Sequence, residues 1–142
     1  MKGDIPSFIG LMRRASCLAI GEDDTLEAVS KGKARLLLLP EDGKEKSFLR
    51  AQRSLEGHSA PKIVLPFPES ELAGAVGTGR CSMAAVTDLG FAEALMKQLA
   101  EQYPGRYDEE LDQILRRSEK IRRRKTEKPG IRTKKKSAGE DK

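Results

Sequence analysis

Ile5, Phe8, Ile9 and Met12 recur at three- and four-residue spacing, the mark of a helix with one apolar face. Leu18-Ala19-Ile20 then predicts a short strand ending at Gly21. Leu26 and Val29 share one face of a second helix, and Gly32 stops it because glycine accepts the left-handed conformation that closes many helices. Leu36 to Leu39 is an unbroken apolar run closed by Pro40, which suits a strand covered on both faces. Phe48, Leu49 and Leu55 predict a third helix, and Ile63-Val64-Leu65 a second buried strand closed by Pro66 and Pro68. Leu72, Ala75 and Val76 predict a fourth helix ending at Gly77 and Gly79. Cys81 to Val86 reads as the next strand, followed by a helix capped by Thr87 or Asp88 and carrying Phe91, Leu95, Met96 and Leu99.

Strands alternating with helices over short links predict an α/β fold built as a three-layer α/β/α sandwich, because parallel strands need helical crossovers. Past Pro104-Gly105 the pattern becomes a single helical stripe of Tyr107, Leu111, Ile114, Leu115 and Ile121. Acids (Asp108, Glu109, Glu110) open that helix and bases close it, matching the helix dipole. Pro129-Gly130 should end it, and IRTKKKSAGEDK has too little apolar content to fold. Two units are expected: an α/β/α domain over 1–102, and a basic amphipathic helix with a disordered tail over 103–142.

Charge sharpens this division. Residues 1–102 hold 13 Lys/Arg against 14 Asp/Glu, a net of −1, whereas residues 103–142 hold 14 against 8, a net of +6. Between Arg116 and Lys136 there are 12 bases against 2 acids, a net of +10. Such a stretch is a phosphate-binding arm needing no sequence readout. Arg116, Arg117, Arg122, Arg123, Arg124 and Lys125 are its candidate RNA contacts.

Catalytic and metal chemistry find little support. His58 is the only histidine and follows Gly57 in a loop, while Cys17 and Cys81 form no CxxC pair, so a zinc site lacks ligands. The cysteines read as free thiols in a cytoplasmic protein, with a disulfide as the alternative. Glu22, Asp23, Asp24 and Glu27 resemble a metal cluster in composition, but acids in a first helical turn are explained by the dipole. Gly74, Gly77, Gly79 and Arg80 lack the spacing and Lys-Ser/Thr ending of a phosphate-binding P-loop. No Ser/His/Asp set or supported carboxylate pair appears. The expectation is a protein with no enzymatic activity, no metal and no cofactor. Arg13 and Arg14 interrupt the first apolar run, so neither a signal peptide nor a membrane span is expected.

Three segments carry a resemblance: K-G-K-A-R-L with its apolar run at 31–39, E-L-x-x-A-V-G at 71–77, and A-V-T-D-x-G-F at 85–91. In order and spacing they resemble the bacterial YlxQ-like branch of the kink-turn-binding ribosomal protein superfamily, over about residues 5–100. The resemblance implies an α/β/α sandwich that binds structured, kink-turn-like or ribosomal RNA. It implies a G-x-N-E-x-x-K pattern at a helix start, together with a loop between the fourth helix and the next strand. Carried onto this chain, the glycine is Gly21, followed by Glu22, with Asp23 in the Asn position, Asp24 in the Glu position and Glu27 in the Lys position. Lys31 and Lys33 come after, and the loop is Thr78, Gly79, Arg80, Cys81 and Ser82. Asp23 lacks the amide donor of Asn, and Glu27 reverses a charge. The alternative is therefore a protein-interaction module that has lost kink-turn recognition and meets a protein partner through residues 107–121.

Overall fold

The computed structural model describes residues 4–127, without the side chains of 125–127. The expected stop at Pro129-Gly130, the tail beyond it and the Lys125 side chain lie outside the described residues. Six helices and four strands follow in the order α1 (Ile5–Arg14), β1 (Leu18–Ile20), α2 (Glu22–Ser30), β2 (Leu36–Leu39), α3 (Glu45–Ser54), β3 (Lys62–Val64), α4 (Glu69–Val76), β4 (Ala84–Val86), α5 (Leu89–Gln102) and α6 (Asp108–Glu127). None of these helices is long and apolar enough to cross a membrane.

The sheet runs β1-β4-β2-β3, with β2 and β3 parallel and β4 antiparallel to both its neighbours. β1, β2 and β3 therefore share one direction and progress the same way across the sheet. Right-handed crossovers along such a progression put their helices on one face, and α2 and α3 do pack together there. Ala28, Val29 and Ala51 meet Leu37, Leu39, Met83 and Ala85 in this layer. The chain then changes face, and α1, α4 and α5 cover Leu36, Leu38, Ala84 and Val86 from the other side. This is the three-layer α/β/α sandwich. The four leucines of β2 are fully buried and alternate between the layers, which is why that strand shows no polar position.

Helix ends follow local chemistry. Gly32 lies just past α2 at φ 72°, and Gly77 closes α4 at φ 77° and ψ 30°. Asp88 caps α5, its carboxylate accepting from the Phe91 N–H at 2.9 Å. Two expectations shift. Leu49 lies on the solvent side of α3, 48% exposed, because Ser47 and Ala51 take the buried face. Only Ala84–Val86 of the expected Cys81–Val86 strand is regular strand, and before it the Met83 carbonyl keeps a single bond from the Gly21 N–H. Both cysteines are free.

α6 packs along α5. Its Tyr107 and Ile114 belong to the same core as α1 and α4, at 3% and 1% exposure. The Tyr107 hydroxyl donates to the Val64 carbonyl of β3 at 2.6 Å.

Candidate functional site

At the carboxyl ends of β1, β2 and β3 the chain turns into α2, α3 and α4, so three helix starts with their outward N–H groups gather at one edge of the sheet. β4 begins there too. This edge is where ligands of α/β proteins usually sit. Gly21 opens α2 at φ 91° and ψ 165°, a region essentially reserved for glycine. Its N–H donates to the Met83 carbonyl at 2.9 Å, and its carbonyl accepts from the Thr25 N–H at 3.0 Å. The glycine thus ties the start of α2 to the segment entering β4. Gly21→Ala is expected to cost about 1–3 kcal/mol through backbone strain, although the added methyl would meet nothing within 4 Å. Urea unfolding measures this, and an unchanged midpoint would mean the strain is absent.

The gathering of helix starts encloses a cleft of about 300 Å³. Gly21 and Glu22 form one wall, Gly43, Lys44 and Ser47 of the α3 start a second, and Glu69 with Arg80, Cys81 and Ser82 the third. Its carboxylates are matched locally. Glu22 pairs with Arg50 of α3, and Asp42 accepts from the Glu69 N–H at 2.8 Å, which closes the start of α4. One oxygen of Glu69 accepts from the Cys81 N–H at 3.1 Å and lies 3.8 Å from Arg80 Nε. That carboxylate is a strut holding the 78–82 loop against α4. Within the loop the Thr78 hydroxyl donates to the Arg80 carbonyl at 2.9 Å, while Gly79 and Arg80 stay exposed. Cys81 is buried beneath, 1% exposed, with its thiol on the Met83 carbonyl at 3.3 Å. Burial pushes that thiol's pKa up, away from a reactive thiolate.

The resemblance-derived residues divide between two ends of the molecule. Gly21, Glu22, Arg80, Cys81 and Ser82 come together in the cleft, and Thr78 and Gly79 of the same loop lie outside its lining. Asp23, Asp24 and Glu27 are exposed along α2, and the described residues offer no ion-pair partner to Asp23 or Asp24. Glu27 meets Lys31 at 2.8 Å. The hydrogen bond and charge of Lys31 hold the Glu27 carboxyl below the usual carboxylate range, and Glu27 raises Lys31 in return. Lys31 and Lys33 stand past the far end of α2, on the order of 13 Å along the helix from Gly21 at 1.5 Å per residue. They do not share the cleft. Among the described residues no group of three or more His, Cys, Asp or Glu is placed to hold a metal ion.

On α6, Arg116 pairs with Asp112 at 2.8 Å, and Arg122 lies 4.0 Å from Glu93 of α5. Arg123 and Arg124 are exposed, whereas Arg117 is half-buried and turns toward Arg35 at the start of β2. His58 is exposed in the loop before β3. Sequence reasoning passed over Lys44, Ser47, Glu69 and Arg35. The first three had a readable signal, since each lies at a helix start just after a strand; Arg35 had none, because its neighbours are remote in the chain.

No protein-family model matches the chain, and no curated protein matches it. Solved structures do. The chain is similar to a protein of unknown function from Bacillus halodurans C, at 24% identity and a TM-score of 0.62 over 69% of this chain and 98% of that one. It is also similar to the Giardia lamblia 15.5kD RNA binding protein, at 14% identity and a TM-score of 0.57 over 68% of this chain and 82% of that one. At such identities the likeness is one of fold.

Proposed function

We propose that this protein binds structured RNA without catalysing a reaction, and that the contact surface is the cleft where the start of α2 lies beside the 78–82 loop. One observation carries the reading: Gly21-Glu22 and Arg80-Ser82 wall a single cleft, and these are the two segments that the resemblance to kink-turn-binding ribosomal proteins pairs in one RNA site. Sharing a fold with a protein named as RNA-binding supports the same direction. Helix N–H groups and Arg80 suit a polyanion, and polar backbone edges suit unpaired bases. The non-catalytic part is supported by Cys81, whose buried thiol donates to the Met83 carbonyl and is held away from the thiolate form. The unpaired cysteines suit a reducing, cytoplasmic setting.

A second reading is favoured by Asp23 and Asp24, exposed acids without ion-pair partners among the described residues. On it, the α2 face meets a basic protein. Fluorescence anisotropy with a kink-turn RNA and a matched plain duplex separates the two. The full chain is expected to prefer the kink-turn weakly, and Asp23→Asn with Glu27→Lys to strengthen that preference about 10–100-fold, the scale of one or two charged contacts. Arg80→Glu should weaken it. No preference in either protein, together with no effect of Arg80→Glu, would leave the interaction-module reading standing.

A further inference from the structure

The amino ends of β2 and β3 carry a feature that the cleft does not explain. A groove of about 470 Å³ runs between α6 and the residues preceding these strands. Four of its lining side chains are cations: Arg35, from the turn into β2, and Arg117, Lys120 and Arg124 of α6; Ser59 adds a hydroxyl. Among the described residues, no carboxylate and no aromatic ring line it. A smaller hollow of about 160 Å³ continues it, sharing Arg117 and Ser59 and reaching His58 and Gly32. Lys31 and Lys33 flank Gly32, so the bases that α2 carries away from the cleft stand at this end.

Some bases elsewhere on this surface are matched and others stand alone among the described residues; what sets the groove apart is that four unmatched ones line a single hollow. Lys31, Arg50, Arg80, Lys97, Arg116 and Arg122 all lie within 4.0 Å of a carboxylate. Among the described residues, none of the four groove cations has such a partner. Partial burial, and then the charges of Arg35 and Arg124, push the pKa of Arg117 down from the ordinary arginine value. Among the described residues these like charges therefore stand together without a carboxylate partner. Capping of α2 does not account for them either, because the Glu27, Ala28 and Val29 carbonyls already accept backbone N–H groups from residues 31–34.

We propose that this groove is a preformed binding site for the phosphodiester backbone of RNA, at the end of the sheet opposite the cleft. Arg117, Lys120 and Arg124 rise along one side of α6 over about 10 Å. A row of that length can meet more than one phosphate along a strand. Arg35 widens the row into a fork that takes phosphate oxygens in pairs. Without aromatic rings the groove stacks no base, and it reads charge and spacing rather than sequence. The protein then has two RNA-contacting ends, one for a folded element and one for any neighbouring strand. The second end does not depend on the first.

The test uses the full chain, a fluorescein-labelled plain RNA duplex with no kink, and a salt titration. Arg35→Gln/Arg117→Gln/Arg124→Gln is expected to reduce the slope of log K against log salt by about 2–3. Lys46→Gln/Arg53→Gln/Lys97→Gln, which removes equal charge from residues that do not line the groove, should leave the slope nearly unchanged. Lys120→Gln/Arg124→Gln touches only exposed side chains and keeps the test valid if the triple variant is poorly folded; its slope should fall by about 2. Equal slopes for groove and control variants would overturn the proposal. Arg80→Glu distinguishes the two sites: kink-turn preference lost with the plain-duplex slope kept means both exist. Absence of kink-turn preference with a groove-dependent slope overturns only the cleft reading.

Discussion

Tyr107→Ala is expected to destabilise the protein by about 3–5 kcal/mol, the cost of deleting a large buried aromatic. Its ring is 3% exposed and sits in the same core as Ile9, Leu38 and Leu95. Burial also pushes its phenol pKa up, so the hydroxyl stays protonated and donates to Val64 at 2.6 Å. Around it, Tyr103 stands edge-on at 6.4 Å, and the Arg106 guanidinium lies over both rings at 5.8 and 5.3 Å. The Tyr107 carbonyl accepts from the Leu111 N–H, which starts α6. Losing this residue therefore opens a cavity and frees the helix that carries the groove cations. Tyr107→Phe separates the two effects and should cost about 0.5–1.5 kcal/mol, the value of the hydrogen bond alone. Denaturant unfolding followed by far-ultraviolet circular dichroism measures both. A loss below about 1 kcal/mol for the alanine variant would show that α6 is docked by other means.

RNA affinity of the full chain is expected to fall by about 10³–10⁵ between 50 and 200 mM salt if roughly six to ten bases meet phosphates. The supply is ample, since 12 bases lie between Arg116 and Lys136. Ending the chain at residue 127 removes Lys128, Arg132, Lys134, Lys135, Lys136 and Lys142. Each lost phosphate contact should reduce the salt slope by about 0.9 on a duplex. A residual slope of about 3–4 in the shortened protein would be the share of α6 and Arg35. Near-zero slopes in both proteins would remove phosphate binding as the purpose of the basic region.

Much of the architecture was readable from neighbours along the chain. The alternation of short apolar runs with helical stripes named every element, and Leu36–Leu39 announced a strand buried on both faces. Gly32, Gly77 and Asp88 marked helix ends that the backbone angles and the Asp88 cap bear out. These signals are legible because helix and strand periods, caps and turns are set by residues only a few positions apart.

What tertiary structure alone decided is which of these pieces meet. The sequence pattern did not place β4 between β1 and β2, and that placement sets the segment after Arg80 beside Gly21. Nor did it show that α2 carries Lys31 and Lys33 away from the cleft, although consecutive numbering had grouped them with Gly21. Most remote of all is Arg35 beside Arg117, joined only because α6 folds back along α5 across the start of β2. The sequence by itself determined the elements, their order, their apolar faces and the excess of positive charge near the carboxyl terminus. The packing of layers determined the cleft and the groove, because contacts between remote residues depend on crossover direction and burial of whole faces, quantities that no local window of residues contains.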